Sequence, residues 1–301
     1  HLMTRQEIRD LARKRLGETT ASFWTDAQLN TWINDAGYQI AFRTLSLRDD
    51  VTFNTVEDQI EYVLSTSVAT NVLSILEIWF KVDAATWTKM DLMSKQELST
   101  RYPDWQSEDS GTPSIGFYDL EEDTVGLYVP PGASPSITAA TIAFVDSDPD
   151  TITDSGNGFV TEEFVAGQTI TVTGTVNNNG TYTIASVTAG TITLIAADTL
   201  TAEAAGSQFT IASILQSKVY YAKEFTDLSA DSATPALAEY LHLGMVHYVV
   251  ALGYESRGYG DKANNAWQQY EANIKRYLGA RILDKDHREA TEIDIGKGAR
   301  R

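Results

Sequence analysis

The chain has 301 residues, 43% of them hydrophobic, with no cysteine and a formal net charge of −18. That length accommodates two domains or one domain with a large insertion, and that hydrophobic content is ordinary for a chain that buries a core. The lack of cysteine excludes disulfides, thiolate chemistry and cysteine-ligated zinc, no apolar run is long enough for a membrane span, and the N-terminus shows no secretory signal pattern.

Charge is unevenly placed. Between Arg101 and Lys218 there are fifteen acidic residues and no Lys or Arg, so the rest of the chain carries a net charge of only −3. Non-specific DNA binding rests on cationic side chains that release counterions from phosphate, which this middle third cannot do. His1-Leu2 ahead of Met3 reads as a cloning remnant.

Thr4-Arg5-Gln6-Glu7 is a capping box, and Ile8, Leu11, Ala12 and Leu16 follow on one helical face until Gly17. Trp24 leads into a second box, Thr25-Asp26-Ala27-Gln28, with Leu29, Trp32, Ile33, Ala36 and Ile40 behind it. After Leu47 the period changes. Val51–Phe53 and Ile60–Leu64 alternate around a polar turn and predict a hairpin, and Val72–Val82 predicts a longer strand. Ser94-Lys95-Gln96-Glu97 opens a short helix that ends near Tyr102-Pro103. Strands are expected at Ile115–Tyr118 and Thr124–Val129, joined through the acidic turn Glu121-Glu122-Asp123.

From Ser136 to Ser213 the composition shifts to Thr, Ala, Gly, Val and Ile. Short alternating runs predict strands at 141–145, 151–153, 168–173, 181–187, 191–195 and 208–211, with Asn178-Asn179-Gly180 supplying positive-φ turn residues. Excising this segment would bring Val125–Val129 next to Lys218–Ala222 as a hairpin, so it reads as an insertion at a loop tip.

Thr234 and Pro235 then suit the start of a helix carrying Leu237, Tyr240, Leu241, Met245, Tyr248, Val249 and Leu252 on one face. The opposite side, with Leu243, Val246, Val250 and Ala251, is nearly as apolar, and the face of Leu243, Val246, His247 and Val250 is expected to meet a neighbouring subunit. Arg257-Gly258-Tyr259-Gly260 breaks the pattern, Asp261 caps a second helix with Ala263, Trp267, Tyr270, Ile274, Tyr277 and Leu278 in one stripe, and Gly279 ends it. The tail from Arg281 is charged and aperiodic and is expected to order only against a partner.

The fold class expected is therefore α+β, a helical bundle with a β-hairpin or small sheet plus an inserted all-β sandwich or barrel. The domains are a discontinuous body of residues 3–135 and 214–280, the insertion 136–213 and an extended C-terminal arm 281–301.

No catalytic constellation emerges. His242 and His247 lack the spacing and the glutamate of a zinc-protease helix, so packing or an inter-subunit hydrogen bond is the reading. Asp146, Asp148 and Asp150 alternate as in a calcium loop but lack its glycine and terminal glutamate, which leaves a solvated turn. The Asp119–Asp123 cluster has no aromatic sugar subsite beside it and reads as an acidic β-turn, and neither a phosphate-cradling glycine loop nor a nucleophile elbow is present. Catalytic, cofactor and metal residues are all expected to be absent.

Three stretches in this order resemble the head-to-tail adaptor (connector) proteins of tailed bacteriophages: TRQEIRDLARKRLG with FWTDAQLNTWINDAGYQIA, GTPSIGFYDLEEDTVGLYVPP, and YYAKEFTDLSADSATPALAEYLHLGMVHYVVALGY. The inserted segment, with FVAGQTITVTG and NNNGTYTIASV, is similar to small immunoglobulin-like or barrel modules that decorate phage structural proteins. The resemblance implies a non-enzymatic ring, commonly twelvefold, at the capsid vertex of the virion after assembly in the host cytoplasm. Such a ring docks on the portal protein, lengthens the DNA channel and gives the tail, or a nozzle or stopper protein below it, its platform, while double-stranded DNA passes without specific binding. It also implies that the C-terminal arm reaches the portal, here through Arg281, Lys285, Arg288, Lys297, Arg300 and Arg301. The alternative is a virion-surface binding protein whose β-insertion recognises a host glycan or protein.

Overall fold

A computed structural model describes residues 2–18, 21–81 and 86–297, with side chains through Arg281; Arg300 and Arg301 of the expected arm lie outside the described residues. In chain order come helices α1 (Arg5–Leu16) and α2 (Asp26–Thr44), then strands β1 (Arg48–Thr55), β2 (Glu61–Val63), β3 (Val72–Lys81), β4 (Trp87–Lys89) and β5 (Asp91–Ser94). Helix α3 (Lys95–Arg101) precedes β6 (Ile115–Asp119) and β7 (Thr124–Tyr128). The next run is β8 (Ser136–Ala139), β9 (Ile142–Val145), β10 (Thr151–Asp154), β11 (Thr169–Thr173), β12 (Gly180–Thr188), β13 (Thr191–Leu194) and β14 (Phe209–Ser213). Strand β15 (Leu215–Lys223) and helices α4 (Glu239–Ser256) and α5 (Gly260–Lys297) complete the order. The class is α+β, as the alternation of periods predicts. Contacts divide the chain into a helical unit, His1–Asp49 with Asn71–Ser74 and Tyr221–Arg301, and a β-rich unit, Asp50–Thr70 with Ile75–Tyr220.

In the helical unit both predicted helix starts are present. Thr4 Oγ1 accepts from Glu7 N at 3.2 Å while Glu7 Oε2 accepts from Thr4 N at 2.8 Å, and Gly17 closes α1 at φ 78°. Thr25 Oγ1 accepts from Gln28 N at 3.1 Å to start α2. Helix α4 is apolar on every side because α1, α2 and α5 all pack against it. Leu241, Met245, Val246, Val249 and Ala251 are fully buried there. Burying each of the larger of these side chains favours the folded state by roughly 1.5–3 kcal/mol. Two glycines set the helix spacing. A Cβ on Gly253 would lie 2.7 Å from Leu16, and one on Gly37 would lie 2.4 Å from the Phe225 ring.

Two helix limits differ from expectation. Helix α4 starts at Glu239 with no side-chain cap, not at Thr234-Pro235. The carbonyl of Leu237 instead accepts from His242, and Leu241 N bonds Ala238 O in a tight first turn. Helix α5 starts at Gly260, with Asp261 inside its first turn, and passes through Gly279 to Lys297. One interior glycine costs a helix only about 1 kcal/mol, so Gly279 does not by itself end this one.

The strands form three sheets, ordered β1-β15-β3-β4, β2-β7-β6-β5 and β8-β14-β11-β12-β13-β10-β9. Helix α3 and the β6–β7 hairpin form as expected, with Ser94 capping α3 and Ile115 opposite Tyr128. Two predicted hairpins do not form. Strands β1 and β2 lie in different sheets, as do β7 and β15, so short-range alternation gives way to long-range partners. Phe53 of β1 and Tyr62 of β2 still meet edge to face at 5.1 Å.

Six of the strands within 136–213 fall where alternation places them, and β8 is additional. Strand β12 pairs with β11 up to Thr183 and with β13 from Ile184, across a bulge that bends the sheet. Phe144, on edge strand β9, thereby reaches Phe209, near the opposite edge, at 5.4 Å between ring centroids. The sheet curls round one core of Ile142, Phe144, Ile152, Phe159, Phe164, Ile170, Ile192 and Phe209. The turn before β12 does not use positive φ at Asn178 to Gly180; Gly174 takes it, at φ 85°. The asparagines act through their side chains, Asn178 bridging Thr201 and Glu203 and Asn179 clamping Thr175.

Candidate assembly surfaces

The face of α4 expected to meet a neighbour is largely covered from within the chain. Val246 and Val250 are buried, and Leu243 packs against the same core. Three helices around one leave little of its surface free, which a pattern on a single helix does not reveal. His247 is half-buried, with Nη1 of Arg15 within 3.1 Å of Nδ1 and 3.2 Å of Nε2. Burial first, and then this guanidinium, push its imidazole down to about 4. His242 is fully buried: Met3 N donates to Nδ1 at 3.0 Å, so Nε2 carries the proton that meets Leu237 O at 3.1 Å. Burial holds this imidazole below its usual value as well. The two histidines are thus packing and hydrogen-bonding groups of a closed bundle.

Arg281, expected to open the arm, is tied to the helical unit. Its guanidinium donates to the carbonyls of Thr44 and Leu45 at the C-terminus of α2, where a cation faces unpaired carbonyls. Lys285, Arg288 and Lys297 lie on the helical backbone that continues from it.

The acidic clusters serve the fold. Asp119 Oδ1 accepts from the amides of Glu121 and Glu122, and Lys95 Nζ joins Glu122 at 2.5 Å and Glu61 at 2.8 Å. Asp150 is buried, not solvated as expected, because its carboxylate accepts from Ser147 N and Leu200 N. Among the described residues no group of three or more His, Cys, Asp or Glu is placed to hold a metal, and no helix is long and apolar enough to cross a membrane. A cleft of about 460 Å³ in the β-rich unit has Lys81 and Glu163 as its charged lining residues.

A surface feature that sequence reasoning passed over lies where α4 turns into α5. Gly258, at φ 75°, lets the chain reverse, and Tyr259 N returns to Tyr254 O at 3.0 Å. The turn brings Arg257 beside the α1–α2 loop, its guanidinium 4.7 Å from the Phe23 ring, 5.4 Å from Trp24 and 5.6 Å from Tyr259. Lys262 Nζ lies 5.5 Å from Tyr254 and 5.4 Å from Tyr259. Trp24 is anchored by Nε1 donating to Ser256 Oγ at 2.9 Å, whereas Phe23 is 55% and Tyr259 46% exposed. Residues 23–24 and 254–262 are far apart in the chain and neither run is periodic, so only the contact joins them.

A family model described as SU10 adaptor protein matches residues 3–293, across the helical and the β-rich units alike. The chain belongs to the SU10 adaptor protein family. Membership makes this adaptor a structural, non-enzymatic component of a phage virion. No curated protein matches the chain.

Proposed function

We propose that the adaptor forms a ring, of twelve subunits, that docks on the portal protein, extends the DNA channel and offers the next tail component, a nozzle or stopper protein, its platform. The match across residues 3–293 carries this reading. The absence of Lys and Arg from Tyr102 to Ser217 supports a channel wall past which DNA slides instead of sticking. The arm after Arg281 is the portal-docking element, and Arg281 fixes where it leaves the body.

Residues 136–213 act as an inserted module. Their strands pair with one another, and Ser213 N donates to Pro135 O at 2.7 Å, so the segment leaves and rejoins the chain at one point, as an insertion requires.

Purified adaptor mixed with portal and imaged by electron microscopy is expected to add a ring beneath the portal. Portal particles without added density would reject the reading. Truncation after Ile282 keeps Arg281 on α2 and is expected to abolish portal affinity while leaving the melting temperature within a few degrees.

A further inference from the structure

The exposed turn between α4 and α5 presents two cations and two rings with nothing acidic set against them. Among the described residues neither Arg257 nor Lys262 forms an ion pair, and Phe23 and Tyr259 remain about half exposed. Aromatic residues and arginine are the side chains that most often dominate binding energy at an interface. A cation already stacked on rings also loses little freedom when a carboxylate arrives.

The chain carries a surface of the complementary kind. In the loop Val160–Val165 the buried Phe164 ring, packed on Phe159 at 6.1 Å, anchors a projection. Val160 is 56% and Val165 43% exposed, and Glu162 and Glu163 between them are exposed and form no ion pair among the described residues. Glu163 holds φ 62° and Val165 N donates to Gln168 Oε1 at 3.0 Å, so the loop has a defined shape. The nearest Lys or Arg in sequence are Arg101 and Lys218; Lys81 shares a cleft with Glu163 and Val165, and its Nζ donates to Gly167 O at 3.3 Å without an ion pair to Glu162 or Glu163.

We infer that the aromatic–cation turn of one adaptor receives the Val160–Val165 loop of a second copy, the carboxylates meeting Arg257 and Lys262 and the valines covering Phe23 and Tyr259. Two different surfaces of one chain make a head-to-tail contact, the type that closes into rings. The inference rests on the ring reading and names the contact that would build it.

Because the chain has no cysteine, single introduced cysteines report the contact on a clean background. Full-length Val165→Cys and Tyr259→Cys adaptors with different tags are mixed and oxidised on portal. The expected result is a mixed disulfide dimer in excess of either like-with-like dimer. Arg257→Glu with Lys262→Glu is expected to lower the mixed product about tenfold, the effect of ~1.4 kcal/mol. Adding Glu162→Lys with Glu163→Lys on the other partner should restore it. Rings seen by electron microscopy without mixed product in excess, or without rescue by the charge exchange, overturn this contact and leave the ring reading intact. Absence of rings altogether overturns both. Circular dichroism of each variant confirms that the substitutions, all at exposed side chains, leave the fold unchanged.

Discussion

The helical unit and the β segment 136–213 both bury polar groups, but of opposite kinds. In the helical unit the buried charged groups are donors, the guanidiniums of Arg9 and Arg13. Arg9 spans Asp231 and Asn30, Arg13 spans Glu18, Asp26 and the carbonyl of Trp24, and together they clip α1 to α2 and to the 231 loop. Asp231, held by Arg9 and Arg5, has its carboxyl lowered to about 2. The β segment has no cation to offer, and its buried charged groups are acceptors, Asp150 and Asp154, that gather backbone amides. Asp154 takes the Thr141 hydroxyl at 2.5 Å and the amides of Gly156 at 2.9 Å and Gly158 at 2.8 Å. Burial alone would raise its carboxyl; these donors outweigh it and hold the group below the usual carboxylate value. Long side-chain donors can join separate helices, whereas loops that lack cations must turn their own N–H groups inward on a carboxylate. A bare acidic composition therefore does not mean an unsatisfied interior.

Substitutions that remove each device test this contrast. The largest effect is expected for Asp154→Ala, which removes a buried carboxylate that holds two part-buried amides and a hydroxyl and should cost about 3 kcal/mol in urea unfolding of the β signal. Asp154→Asn should recover part of that loss. Arg13→Ala is expected next, at about 2–3 kcal/mol, confined to the helical unit. A comparable loss from Arg13→Lys would show that the planar guanidinium, not charge alone, makes the clip.

Acidification distinguishes the regions further. The unfolded chain takes up protons near pH 6.5 that folded His247 refuses until about pH 4, so stability is complete above pH 6.5 and declines as pH falls toward 4. His242 shifts the same way. The lowered Asp154 and Asp231 act later: their contribution is present above the unfolded value of 3.8 and is lost as pH falls below it. Thermal melts followed by circular dichroism should show the first decline in helix signal, flattened in a His242→Gln/His247→Gln variant. An undiminished decline there would assign the effect elsewhere. The smallest changes are expected for Arg281→Ala, about 0.5–1 kcal/mol through the end of α2, and for Asp119→Asn, within about 0.5 kcal/mol.

Much of the fold is legible locally. Thr4 and Thr25 announce helix starts because a cap acts within three residues, and alternation locates six strands of the 136–213 segment because its core faces one side of each strand. The misreadings share a cause. The β1–β2 and β7–β15 pairings and the start of α4 each depend on what lies across the interior. Likewise, nothing around Arg257 in sequence announces that Phe23 stands beside it.

The amino-acid order by itself determined element type, most boundaries and the acidic middle third, since these depend on neighbours a few residues apart and on composition. Tertiary structure alone decided which strands distant in the chain pair, how α4 is covered, where Arg281 is held and which rings gather round one exposed arginine. Those choices compare contacts between residues hundreds of positions apart, whose energies exist only once the chain has closed on itself.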